Sequence, residues 1–229
     1  MSDPAVYSSA AVCRIAAITL CVSTLVAGCM TSRVEEIRQT ATGITAGDAI
    51  VILTRRDHTE IEPEESFHGC IEKQLSRGQK PFDLRPQAEF VDYMFPWFEP
   101  RLAPATPDAL PELLKQPGVA EKITASGVRY IVWVDGTTEV MDGGGSLSCT
   151  AGPTGAGCFG FTWWDKDSDY EASIWDLHNL ESAGTISADV EGTSYMPAIV
   201  VPIPLIARTQ SVACKGLARQ IERFLVAGQ

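Results

Sequence analysis

The run VRYIVWV, at 128–134, constrains the fold more than any other stretch. A β-strand points successive side chains to opposite faces. Here both alternating sets are mainly apolar or aromatic, which suits a central strand. The run AIVIL at 49–53 has the same character and is rich in β-branched residues. Two such strands imply a sheet, and a sheet needs helices or a second sheet packed on it.

The helices to pack on it are legible. PEESFHGCIEKQLSRG (63–78) has Pro63 in its first turn and Glu64 and Glu65 at the positive end of the helix dipole. Phe67, Cys70, Ile71 and Leu75 recur at steps of three and four, and Gly78 suits the position after the helix. FDL (82–84) predicts a short strand. PQAEFVDYMF (86–95) reads as a helix with Phe90, Met94 and Phe98 four apart and Pro96 disturbing its end. Residues 106–127 predict two short helices parted at Gln116–Pro117. DGGGSLSCTAGPTGAGC (142–158) reads as a flexible loop. FGFTWW, YEASIWDL and GTISADVEG predict three antiparallel strands with turns between them. The apolar segment 196–206 holds Pro197, Pro202 and Pro204, so it suits neither a regular helix nor a central strand. The final helix, 209–225, carries Cys214, Leu217, Ile221 and Leu225 on one stripe, with Lys215, Arg219 and Arg223 pointing away. No internal repeat is visible. The expected fold is an α/β (α+β) two-layer sandwich: a mixed sheet with helices mainly on one face.

The N-terminus bears on location. Arg14 precedes an apolar run, 15–28, of 14 residues. About 20 are needed to cross a bilayer as a helix, so the run reads as a secretory signal. Its ending, Leu25-Val26-Ala27-Gly28-Cys29, resembles the bacterial lipobox. That resemblance implies cleavage before Cys29, a diacylglycerol on its sulfur and an acyl chain such as palmitate on its new amino group. The alternative is a signal cut elsewhere, with Cys29 a plain thiol. The implied organisation is a lipoprotein signal peptide at 1–28, a lipid anchor and polar tether at 29–47, and one periplasmic α/β domain at 48–229. Met30 stands where Asp favours inner-membrane retention in the lipoproteins this resembles. The expected address is therefore the outer membrane, facing the periplasm.

Cysteine usage fits an oxidising compartment. Of seven cysteines, Cys13 and Cys21 fall in the signal and Cys29 is assigned to lipid. Cys70, Cys149, Cys158 and Cys214 remain, an even number. Cys149 and Cys158 are close in sequence and predict one disulfide. Cys70 and Cys214 lie on the inward stripes of two helices and predict a second, which would set those helices side by side. Two separate buried thiols are the alternative for that pair.

With 18 Lys and Arg against 29 Asp and Glu, the net charge is −11. Nucleic acid is excluded as a partner because phosphate binding needs a cationic surface. No cofactor or metal is expected. GAGCFG (155–160) matches the glycine pattern of a dinucleotide site but precedes aromatic strand-like sequence instead of a helix. Asp165, Asp167, Asp169, Glu171 and Asp176 are spaced somewhat like a calcium loop. Tyr170, however, sits where that loop needs Gly, so a solvated acidic turn is expected. His68 and Cys70 face different sides of a helix, which argues against zinc. Asp57, His58 and Glu60 share a loop, and no residue is assigned as catalytic. Trp163 and Trp164, on opposite faces of a strand, form with Pro202 and Pro204 the candidate surface for a partner or membrane.

FPWFEP, GVRYIVWV, GCFGFTWWDKDSDYEASIWDL and VVPIPLIA together resemble a group of uncharacterised bacterial lipoproteins, over roughly residues 48–225. The order of elements is similar to the small α/β domain of the curli secretion lipoprotein and to the N-terminal domain of the Tol-system translocation protein. In those a G-V-x-Y strand is followed by strands around an apolar-x-Asp turn, here Ile174-Trp175-Asp176. The resemblance implies an envelope interaction domain and assigns no functional residue. The expected function is a lipid-anchored, non-enzymatic binding or assembly module that meets the membrane through Cys29 and another envelope protein through its domain. The alternative is a periplasmic hydrolase whose site assembles across the fold.

Overall fold

A computed structural model describes residues 30–45, 47–54, 65–78, 82–98, 104, 107–153 and 155–226. Residues 1–29, read as a signal peptide and the lipid-bearing Cys29, and the residues Asp57, His58 and Glu60 lie outside these residues. A mixed six-stranded sheet has the order β1-β6-β5-β4-β2-β3. Its strands are β1 (Met30–Arg38), β2 (Ala49–Thr54), β3 (Asp83–Arg85), β4 (Val128–Gly152), β5 (Gly155–Asp176) and β6 (Glu181–Pro202). The helices are α1 (Glu65–Ser76), α2 (Gln87–Tyr93), α3 (Leu110–Leu114), α4 (Val119–Ser126) and α5 (Thr209–Val226). β2 is parallel to β3 and β4, and the other pairs are antiparallel.

The double-faced strands behave as their sequence demands. Ile50, Ile52, Tyr130, Val132 and Val134 point to one face and pack with Phe67, Ile71 and Leu75 of α1 and Leu217, Ile221 and Phe224 of α5. Val51, Leu53, Ile131 and Trp133 point to the other and pack with Phe90, Leu110, Leu114 and Ile123. The two long helices thus share one face, as expected, and three short ones cover the back of the β2–β4 half. Cys70 of α1 and Cys214 of α5 form a disulfide with Cα atoms 6.3 Å apart, so the helices do lie side by side.

Several expectations are corrected. Residues 30–38, read as tether, are β1, an edge strand that pairs along β6 from Met30↔Gly192 to Arg38↔Gly184. Val34 sits on the α5 face, but charges on both faces hid the two-residue period, as is common on protected edges. The second correction concerns 142–158, read as a loop. It forms most of a hairpin in which β4 and β5 stay paired to Gly152↔Gly155, and FGFTWW and YEASIWDL are one strand. The acidic residues 165–171, read as a turn, are the middle of that strand. Segment 196–206 is half strand. Pro197 and Pro202 lie in β6 beyond the end of β1, where β6 is no longer flanked by a full strand and missing N–H groups break no ladder.

Candidate functional site

The sheet has two unequal ends. At the covered end Arg129 ties three elements together. Its guanidinium donates to Asp48 at 3.0 Å, before β2, and lies 3.6 Å from Asp176, at the end of β5. Burial pushes the Asp48 carboxyl up, but hydrogen bonds from Thr45 and Arg129 outweigh it and leave the group below the ordinary value. Asp176 is buried and accepts the backbone N–H groups of His178 and Asn179, closing the β5–β6 turn. Its role is thus structural, at the Ile174-Trp175-Asp176 turn. His68 lies 3.3 Å from the Ile52 carbonyl and 3.8 Å from Glu72, and its neighbour Cys70 is spent in the disulfide.

The back of the β4–β5–β6 half is a carboxylate face. Residues paired directly across strands share a face, so the register gathers Asp135 and Glu139 of β4, Asp167, Asp169 and Glu171 of β5, and Asp189 and Glu191 of β6. Arg33 and Glu35 of β1 extend it and pair with each other. At its centre burial pushes the Asp167 carboxyl above the ordinary value, and repulsion from Asp189, Asp169 and Glu139 adds to it. One Asp167 oxygen is buried without a hydrogen-bond partner. Ligand oxygens of Asp167, Asp189 and Glu191 lie within 4.8 Å of one another. Three carboxylates could hold a divalent cation only with water completing its six or more oxygens.

The sign of the Asp167 shift gives a prediction. A carboxyl whose folded pKa is raised weakens the fold as pH rises from its unfolded value, near 3.8, through the folded one. Asp167→Asn should therefore raise the melting temperature at pH 7. The gain should shrink below about pH 4, where both forms are neutral. An equal gain at all pH values would refute the electrostatic cause.

Past the carboxylate face the character changes abruptly. Residues 143–164 and 194–207 contain no Asp, Glu, Lys or Arg. The β4–β5 hairpin and the last part of β6 build from them a three-stranded arm running beyond β1. A returning segment lines its edge, where Tyr195 and Leu205 exchange two backbone hydrogen bonds. A shift of register between Val140 and Gly143 marks its base. The second disulfide, Cys149–Cys158, joins directly paired residues near its tip. Ten residues, Gly155 to Trp164, span roughly 33 Å at ~3.3 Å each.

The arm's glycines are packing residues. Trp163 faces Gly144 and Trp164 faces Gly143 across the hairpin, and a Cβ on Gly144 would meet the Trp163 indole at 3.2 Å. Gly145 stands at φ +101 with its ideal Cβ position 2.1 Å from the Phe161 carbonyl oxygen, so only glycine fits there. Phe161 stacks near Tyr195, with centroids 6.0 Å apart. Toward the tip Phe159 is 74% exposed and Ile199 79%, and Val200, Val201 and Ile203 are also exposed.

Trp163 and Trp164 are half-buried on opposite faces, as their positions predict, and Pro202 and Pro204 lie near the end of β6. The structure gathers all four in one arm. Of the more exposed members, Ile199 falls within the apolar segment 196–206, whereas Phe159 is not singled out from the sequence. Two charge-free stretches in so acidic a chain are the signal that finds them.

No family model and no curated protein matches the chain. Among solved structures it is similar to the PelC dodecamer from Paraburkholderia phytofirmans, at 14% identity and a TM-score of 0.38, over 86% of this chain and 99% of that one. It is also similar to hypothetical protein CT253 from Chlamydia trachomatis, at 10% identity and a TM-score of 0.26, over 78% and 91%. Likeness this weak bears no argument about activity or assembly.

Proposed function

We propose that the chain is a lipid-anchored protein of the cell envelope, held at the outer membrane through Cys29, whose periplasmic domain binds or assembles and does not catalyse. The observation that carries this reading is the uncharged arm. Phe159, Ile199, Val201 and Ile203 expose apolar surface on one projecting element, and such surface on a secreted domain marks an interaction site. Two cystines suit an oxidising compartment. The sequence likeness to bacterial lipoproteins, and the order of elements similar to the curli and Tol domains, support the envelope assignment.

A photo-crosslinking residue placed at Phe159 or Ile199 in native envelopes tests the reading. Discrete adducts, to protein or lipid, are expected from these positions and not from Glu112, an exposed residue of α3. Arm positions that give no more adduct than Glu112 would contradict it.

A further inference from the structure

The arm, the acidic face and the start of β1 meet at one level of the molecule. Met30 opens β1 and pairs with Gly192. Acidic and basic residues on β5 and β6 end there: Asp165 and Glu191 are the last of them before Trp163, Trp164 and Tyr195. Everything beyond, on both strands of the hairpin and on β6, is neutral. Cys29 is one residue from Met30, about 3.8 Å of chain. Because 30–38 is strand and not tether, nothing spaces the folded domain from the residue assigned to lipid.

From this juxtaposition we infer that the arm enters the lipid bilayer beside the anchor of its own chain. The inference rests on the Cys29 anchor proposed above. Acyl chains on Cys29 fix the membrane surface at the level of Met30, and the arm extends from that level away from the domain. A run without charge is what hydrocarbon tolerates. Trp163, Trp164 and Tyr195 stand at its base, where amphipathic rings favour the headgroup region. The carboxylates start on the water side of these rings, so an anionic body stands off the surface while a neutral arm enters it. An arm of ten-residue strands has the length of a membrane-crossing β-strand. Among the described residues no strand pairs along the outer edge of β4 over the arm, 143–152, and that edge sets the depth. Unpaired N–H and C=O groups are costly in hydrocarbon. A single arm therefore seats at the interface, and full crossing needs a second arm paired along that edge.

The mature chain with Cys29→Ser, which can carry no acyl group on sulfur, is mixed with phosphatidylcholine vesicles whose acyl chains are brominated. Zwitterionic lipid removes charge as the cause of binding. Tryptophan emission should be quenched and the protein should float with the vesicles. Bromines near the headgroup mark an interfacial arm and deep bromines a crossing one; either supports entry. Phe159→Asp with Ile199→Asp should weaken partitioning at least tenfold while circular dichroism and melting stay unchanged. If neither this chain nor the acylated protein is quenched, the arm does not enter and the inference falls, although an acylated Cys29 would leave the anchor standing. If native Cys29 proves unmodified while quenching persists, the anchor falls and the arm's membrane entry stands. Protein adducts in place of lipid adducts from Phe159 in envelopes would overturn the inference and keep the binding role.

Discussion

Replacing Cys70 and Cys214 together by alanine should lower the stability of the domain by about 5 kcal/mol. The bridge joins residues 144 apart, so it removes a very large loop from the freedom of the unfolded chain. The loop-entropy relation gives that value for about 145 residues, against roughly 2.7 kcal/mol for the ten-residue loop closed by Cys149 and Cys158. The packing change is minor by comparison, because alanine keeps the Cβ at both sites, buried at Cys214 and partly buried at Cys70. A domain of this size holds about 5–15 kcal/mol in all, so the double variant should be near the edge of folding. Urea unfolding would show a lower midpoint and a steeper slope, the latter because the unfolded state expands. An unchanged midpoint would mean that packing alone holds α1 against α5.

Phe67→Ala should lower stability by about 3–5 kcal/mol. Phe67 is buried on α1 and its ring stacks on that of Tyr170, with centroids 3.5 Å apart. Tyr170 in turn hydrogen-bonds Thr138 at 3.0 Å, fixing its ring. The site has little freedom to collapse, because α1 is pinned three residues later by the disulfide at Cys70. A cavity that stays open gives the upper part of the range. Phe67→Leu keeps most of the volume and should cost less than half as much. Similar losses for both variants, measured by thermal or urea unfolding, would show that the core relaxes around the gap.

Both effects rest on parts of the fold that were legible in the sequence. The stripes of α1 and α5 and the double-faced strands 49–53 and 128–134 are set by burial, and burial writes a period. Where burial is one-sided or absent the pattern fails. β1 alternates Val34 toward α5 with Arg33 and Glu35 toward solvent, yet Glu36 and Arg38 share the inner face, so no apolar stripe appears. The arm was obscured differently. Gly143, Gly144 and Gly145 look like loop residues, but they make room for Trp163, Trp164 and the Phe161 carbonyl across the hairpin, a demand that exists only once the strands pair. The carboxylates of β5 likewise read as a turn because each is polar. Their grouping with Glu139, Asp189 and Glu191 depends on cross-strand register, which one strand cannot reveal.

The mass of the N-terminal peptide of the mature protein, isolated from native envelopes, tests the central claim most directly. It should begin at Cys29 and be heavier than its sequence by a diacylglycerol and one further acyl chain. A peptide that begins elsewhere, or an unmodified Cys29, would contradict the anchor on which the proposed placement at the membrane depends.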